Sequence, residues 1–440
     1  MLLNFIFLIV YTLLSSFLSG EDLYYLSSIH IIIYIFHSLT IKKNISPIIL
    51  FALGSLIVNI GNIALISQLY TRTIITYNYI VPKYIDNAAQ IWCISFTLII
   101  IGFDSTIKKS LPPISFDIKK NHLRNIFIAL FISNIIILFN HYANILHSLK
   151  IFGMINTMGI VFYARLWAKE DNKTYRNYAI ILLVIETYLS LTTSFLRFEL
   201  ILPTFCMFMG YFLGKGDIKY LFSYRVLPYL LLIIIYASIF RALQINRSDT
   251  NFISVFYDSG DNYVQNNVKD NKQQYALLIR SANVAQLTNV VRLVNQNGLY
   301  YGKASAPLVM ALIPRMLWPD KPLIRLGAWF ALEIGQAYQN ETGYINNSIN
   351  MTVMGELYLD FGWIGVIIGS LLLGVFIALL WNSTEFYLSP YNLMGTVFGG
   401  YLFMILFIGI AADLQIVITF LSFYVTFYII KKVATYLMRQ

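Results

Sequence analysis

The feature that most constrains this fold is a succession of apolar segments, each about 20 residues long, along nearly the whole chain. A helix of that length crosses the hydrocarbon core of a bilayer. The chain is 58% hydrophobic and only 12% charged, whereas soluble domains carry about 25% charged residues. Segment length and the lack of strict polar–apolar alternation favour helices over a barrel. The sequence therefore predicts an all-α, polytopic membrane protein.

Twelve spans are predicted from the apolar runs. They cover residues 2–19, 23–39, 46–66, 88–104, 123–140, 151–167, 177–195, 199–214, 226–243, 355–381, 394–411 and 415–431. This gives three parts: nine spans within residues 1–243, a large loop over 244–350, and three spans within 351–440.

The distribution of lysine and arginine predicts the orientation. One set of alternate loops and the C-terminal tail hold seventeen of these cations, with Arg165 counted among them. The short loops on the other side hold four, namely Arg72, Lys83, Lys150 and Arg197. Because cytoplasmic loops are enriched in cations, both termini are expected in the cytoplasm and the large loop outside.

The net charge of +10 has the same explanation, so it does not indicate a nucleic-acid partner. The two cysteines, Cys93 and Cys206, lie in apolar segments and are expected to be buried hydrophobic residues. The sequence shows no cluster of carboxylates or histidines with metal-ligand spacing, so we predict neither a metal nor a cofactor.

The large loop is predicted to be a structured cap. Residues 273–295 have helical periodicity, with apolar residues such as Leu287 and Val291 on one face and Gly298 as a stop. Residues 326–340 could form a second short helix.

The stiffest part of the loop is residues 311–322, which contain Pro314, Pro319 and Pro322. This segment carries Arg315, Asp320 and Lys321 beside Trp318. Guanidinium and ammonium groups are the usual partners of phosphate. The segment is therefore a candidate for binding a phosphorylated or acidic ligand, with a structural, solvated loop as the alternative.

Three further arginines are candidate ligand-binding residues. Arg197 lies between two closely spaced spans, Arg241 ends a long apolar segment, and Arg280 is embedded in apolar residues of the loop. Charges in such surroundings usually face a cavity or a partner. An Arg197–Glu199 contact, snorkelling of Arg241 and an ion pair within the loop are the structural alternatives.

Acids within or beside the spans are the candidate bases. Glu356 and Asp360 begin the tenth span four residues apart, so they share one helix face. Stabilisation by the helix dipole is the simpler explanation for both. Glu186 lies in the middle of a predicted span and suits either proton coupling or a structural hydrogen bond. The spacings Gly365–Gly369 and Gly395–Gly399 indicate helix packing.

Two motifs resemble a known family. The run Ile313-Pro314-Arg315-Met316-Leu317-Trp318-Pro319-Asp320-Lys321-Pro322, followed by Gly327, and the run Gly355-Glu356-Leu357-Tyr358-Leu359-Asp360-Phe361-Gly362 followed by Gly365, resemble bacterial oligosaccharide repeat-unit polymerases. These are the O-antigen and capsule polymerases of the Wzy type. The segment around Arg197 is also similar to their pattern.

This resemblance implies a GT-C-like, metal-independent glycosyltransferase at the outer face of the bacterial inner membrane. The donor would be a glycan on undecaprenyl diphosphate and the acceptor a repeat unit on the same lipid. A flippase and a chain-length regulator would be its partners. Glu356 would be the general base with Asp320 in reserve, while Arg197, Arg241, Arg280, Arg315 and Lys321 would bind the diphosphate. An O-antigen ligase and a flippase or other carrier are the alternatives.

Overall fold

The computed structural model describes most of the chain outside the first part of the large loop. It covers residues 2–42, 45–70, 80–106, 110–143, 150–193, 197–216, 282–306, 326–339, 347–408 and 415–437, with isolated positions within 225–231 and 310–345. The described residues are helical apart from turns and two isolated β-bridges, Asp117–Asn392 and Gln339–Ile345.

The helices follow the apolar runs of the sequence. Their bounds are α1 Leu2–Leu14, α2 Gly20–His37, α3 Pro47–Tyr70, α4 Ile85–Ser105, α5 Leu123–Ala143, α6 Lys150–Glu170, α7 Lys173–Thr193, α8 Arg197–Lys215, α9 Val284–Asn297, α10 Leu326–Glu333, α11 Val353–Ser383, α12 Leu393–Ile408 and α13 Gln415–Leu437. A π-helical turn, Ser38–Lys42, extends α2.

The all-α fold class is confirmed over the described residues. Eleven of the twelve predicted segments coincide with helices, and segment 226–243 lies largely outside the described residues. Within the residues that the structure describes, four helical stretches are long and apolar enough to cross a membrane: Gly20–Thr40, Pro47–Ser67, Pro82–Ser105 and Val353–Ser383. In the large loop, α9 confirms the first predicted helix where it is described, and Gly298 ends it with a φ of +76°. The second predicted helix, 326–340, is confirmed as α10 only to Glu333, because residues 334–339 form a turn and an isolated bridge.

Helices α4 and α11 form the most extensive contact, and glycine makes it possible. A Cβ on Gly374 would lie 2.0 Å from the carbonyl oxygen of Ile99. A Cβ on Gly102 would lie 2.3 Å from the carbonyl oxygen of Leu371. The two backbones therefore touch directly, as small residues allow between apolar helices.

Replacing Gly374 with alanine should destabilise the protein by about 1–3 kcal/mol, because the clash is with backbone that cannot rotate away. Thermal unfolding of the detergent-solubilised protein, followed by tryptophan fluorescence, measures this loss. Gly400→Ala is the matched control. Its nearest contacts are the side chains of Val161 at 3.2 Å and Met158 at 3.3 Å, which can shift. Equal stability of the two variants would contradict the direct backbone contact between α4 and α11.

Arg165 corrects one expectation from the sequence, because it is not a loop cation. It lies within α6 and is 1% exposed. Its guanidinium donates to the hydroxyl of Thr396 at 2.5 Å and to the carbonyl oxygen of Phe386, and it lies 4.0 Å from the Phe386 ring. Arg165 thus joins α6 to α12 and to the turn before it.

A surface ion pair lies at the same end of α6. Lys120 donates to Glu170 at 2.8 Å, and the Tyr391 hydroxyl donates to the same carboxylate. Partial burial raises the pKa of Glu170, but the hydrogen bonds from Lys120 and Tyr391 lower it by more. The pKa of Glu170 therefore lies below its usual value. The residues after α4 and before α12 are thereby held against α6.

Candidate functional site

The candidate site is organised by a break in α11. Gly362 has φ +59° and ψ −144°, a conformation that only glycine adopts readily. A Cβ on Gly365 would lie 2.3 Å from the carbonyl oxygen of Leu357, and one on Gly369 would lie 2.5 Å from the Leu357 side chain. In a straight helix, residues 357 and 365 would be about 12 Å apart. The half-helix 353–361 therefore folds back across the start of the long piece, 363–383.

The half-helix begins at a strained residue. Thr352 has a φ of +70°, which costs a β-branched residue about 1–3 kcal/mol. Its hydroxyl accepts the backbone N–H of Gly355 at 3.1 Å, and its own N–H donates to the Asn350 side chain at 2.8 Å. These bonds hold the N-terminus of the half-helix in one arrangement.

Gly355 lets the half-helix pack closely on α9. A Cβ at this position would lie 3.3 Å from the Val290 side chain and 3.5 Å from that of Leu287. Both are buried, and Leu287 belongs to the apolar face of α9 predicted from the sequence. The loop helix α9 therefore covers the beginning of the half-helix.

Glu356 is 1% exposed and lies in the first turn of this half-helix. Its backbone N–H donates to the carbonyl oxygen of Thr352 at 3.0 Å. The helix dipole stabilises a negative charge here by up to about 2 kcal/mol. The carboxylate of Glu356 is therefore buried and favoured in its charged form at the N-terminal end of the half-helix.

Asp360 has a structural role in a strap formed by residues 300–305. Its carboxylate accepts the backbone N–H of Ala304 at 3.0 Å, that of Ser305 at 2.7 Å, and the Ser305 hydroxyl. The backbone of Tyr300 and Tyr301 also donates to the carbonyl oxygens of Leu359 and Asp360. Asp360 therefore fastens the strap to the half-helix just before the break.

An asparagine inside the helix bundle fixes the other end of α9. The Asn62 side-chain oxygen accepts the backbone N–H groups of Asn283 and Val284, at 2.8 and 2.9 Å. The Asn62 side-chain nitrogen donates to the Asn283 side chain at 2.8 Å. Thr288 adds an acceptor for the Val81 N–H at 3.3 Å. These polar contacts dock the loop helix on the membrane part of the chain.

Sequence reasoning missed Asn62, Thr288, Thr352 and Ser305 as residues that organise the site. Asn62 alone carried a signal, because a polar amide within an apolar helix needs a hydrogen-bond partner.

Most predicted ligand-binding residues lie outside the described residues. They are Arg241, Arg280, Arg315, Asp320 and Lys321. Arg197 is the first residue of α8, but its side chain is also outside the described part. Their predicted roles stay predictions. The structure does place Gly327, whose absent side chain leaves room for the Ser348 hydroxyl, 2.6 Å from where a Cβ would be.

The described residues contain no group of three or more histidine, cysteine or acidic side chains that could hold a metal ion. The carboxylate of Asp360 is instead held by backbone donors and a hydroxyl of the strap.

The described part of the chain is thus all-helical, with four helical stretches long and apolar enough to cross a membrane and a loop helix docked over a broken one. The chain belongs to the family described as a domain of unknown function (DUF8712), whose model matches residues 60–438. No curated protein and no solved structure matches the chain.

Proposed function

We propose that this protein polymerises oligosaccharide repeat units carried on undecaprenyl diphosphate, at the outer face of the bacterial inner membrane. In this proposal the chain has about twelve spans, cytoplasmic termini, an outer loop over 244–350 and a GT-C-like arrangement. The observation that carries the proposal is Glu356, a carboxylate 1% exposed at the start of a half-helix that α9 covers. Its motif resembles that of the polymerase family, which supplies the substrate class.

Glu356 acts as the general base in the proposed reaction. A hydroxyl of the acceptor sugar attacks the anomeric carbon of the donor glycan and transfers its proton to Glu356. The bond between that carbon and the diphosphate oxygen breaks, and the electron pair leaves with the lipid diphosphate. A single displacement of this kind inverts the anomeric carbon. Asp320 is the alternative base.

Cationic side chains stabilise the leaving diphosphate in this proposal. The assigned residues are Arg197, Arg241, Arg280, Arg315 and Lys321. Donors preorganised around a developing charge are among the strongest contributors to catalysis. No metal or cofactor takes part, and the protein works beside a flippase and a chain-length regulator.

Reconstitution in liposomes tests the reaction. Lipid-linked repeat units are supplied on the leaflet that the large loop faces, without an ion gradient, and products are separated by gel electrophoresis. We expect a ladder of glycans, and Arg315→Ala or Arg197→Ala should remove it while the protein stays in the membrane. A wild-type protein that forms no ladder, or variants with full activity, would contradict the proposal.

A lipid-linked oligosaccharide carrier is the second candidate. The buried acid Glu186, 6% exposed in α7, favours it because transporters commonly use carboxylates inside their helix bundles. In the same liposomes, a carrier would move labelled lipid-linked units between leaflets and would leave their length unchanged. An O-antigen ligase would need a lipid A core acceptor to form any product.

A further inference from the structure

A buried polar cluster joins α5, α6 and α7, away from the half-helix. The hydroxyl of Thr157 donates to Oε2 of Glu186 at 3.2 Å. The Asn156 side chain donates to the oxygen of Asn134 at 2.8 Å and to the Ser133 hydroxyl at 3.1 Å. Glu186, Asn134, Asn156 and Thr157 are each at most 6% exposed. Three helices thus bring a carboxylate, two amides and two hydroxyls together inside an apolar bundle.

The cluster is incompletely satisfied. Oε1 of Glu186 and the side-chain nitrogen of Asn134 are buried; the Asn134 amide interacts with the Glu186 carboxylate, but neither atom makes a hydrogen bond of normal geometry to a described residue. No described lysine, arginine or histidine pairs with Glu186. An isolated buried carboxylate is costly, by several kcal/mol even after relaxation. Such a group therefore binds a proton or another cation, or it does not stay buried.

We propose that Glu186 is the charged residue of a site for one small monovalent cation, either a proton or an alkali-metal ion. One carboxylate among neutral oxygen donors balances a single positive charge, and oxygen donors are what hard cations prefer. Oε1 is the carboxylate oxygen that Thr157 does not bond, so it is the oxygen left to accept the proton or ion.

The amides of the cluster can serve both the occupied and the empty site. The oxygen and nitrogen of a side-chain amide exchange places by rotation of about 180°. In the structure, Asn134 presents its side-chain N–H to Glu186, which suits an ionised carboxylate. If Asn134 and Asn156 both rotate, the Asn134 oxygen becomes available to a proton or ion on Glu186. The hydrogen bond between the two amides is kept, with donor and acceptor reversed.

Few other titratable groups lie near Glu186 in the described part of the bundle. Among the described residues of the helices packed on α7, Cys206 of α8 is the titratable group close enough to feel the charge of Glu186. This inference does not depend on the proposed polymerase activity, because none of its residues belongs to the half-helix or to the assigned diphosphate ligands.

The test uses the full-length protein in detergent and compares wild type with Glu186→Gln. In the first arm, thermal unfolding is measured in rising NaCl or LiCl against choline chloride at constant ionic strength. In the second arm, infrared spectra across the pH range follow the carbonyl stretch of a protonated carboxylic acid. Glu333→Gln removes an exposed carboxylate of α10 and is the matched control.

An alkali-ion site predicts a saturable rise in Tm with Na⁺ or Li⁺ that Glu186→Gln loses and Glu333→Gln keeps. Thr157→Val should weaken the ion affinity roughly tenfold, which provides a test even if Glu186→Gln does not fold. A proton site predicts no alkali-ion effect and a carbonyl band that appears and disappears with pH only when Glu186 is present. A Tm independent of both ions together with a carbonyl band that never titrates would overturn the proposal.

Discussion

Glu356→Gln should slow formation of the glycan ladder by about 10²- to 10⁴-fold, the usual contribution of a general base. The amide has nearly the same shape as the carboxylate, so α9 and Gly355 keep their packing, but it cannot accept the proton of the acceptor hydroxyl. The measurement is the initial rate of ladder formation in the liposome assay, with protein amount normalised by gel. Substrate binding, measured as the concentration for half-maximal rate, should change little.

Glu333→Gln is the control for this experiment, because it removes an exposed carboxylate of the nearby helix α10. It should retain the wild-type rate. A Glu356→Gln variant with at least half of the wild-type rate would remove Glu356 from the chemistry and leave Asp320 as the assigned base.

Asp360→Ala should destabilise the packing of the strap on the half-helix by about 3–5 kcal/mol. The alanine leaves two backbone N–H groups and one hydroxyl without an acceptor, and each unpaired buried donor costs about 1–3 kcal/mol. The strap at residues 300–305 should then open. Lys303 is exposed within that strap, so the rate of tryptic cleavage after Lys303 measures the opening directly. Asp360→Asn keeps one acceptor oxygen and should show an intermediate rate.

Comparing variants of Glu356 and Asp360 distinguishes a role in the reaction from a structural role on the same helix. Glu356→Gln should leave tryptic cleavage after Lys303 unchanged and lose the ladder. Asp360→Ala should raise cleavage and lose the ladder through destabilisation. If Asp360→Ala were as resistant to trypsin as wild type and still inactive, Asp360 would have a role in the reaction.

The helices were predictable because their cause is local. Apolar runs fix the segments, and a left-handed glycine ends α9 at the predicted Gly298. The break in α11 was not predicted, since the sequence around Gly362 contains no proline and the residues after it stay apolar. The signal was the series Gly362, Gly365 and Gly369. Gly365–Gly369 was predicted as a packing surface, and it packs against Leu357 of the same helix.

The candidate site was predictable only in part. Periodicity put Glu356 and Asp360 on one face, but it could not assign their roles. The bonds that occupy Asp360 come from residues 304 and 305, more than 50 positions earlier. The contact of Asn62 with Asn283 spans 221 positions. Such pairings follow from tertiary packing, for which a single sequence gives no local pattern.

The bend at Gly362 determines where Glu356 lies relative to the long piece of α11. A straight helix with the 31 residues of α11 would be about 46 Å long, well beyond a hydrocarbon core of about 30 Å. The piece after Gly362 alone is about 30 Å long and matches that thickness. Because Leu357 lies beside Gly365 and Gly369, the half-helix turns back along the long piece, and Leu357 lies beside its first two turns. In the proposed polymerase, the bend at Gly362 and the strap that Asp360 fastens beside it would therefore decide from which side an acceptor sugar approaches Glu356.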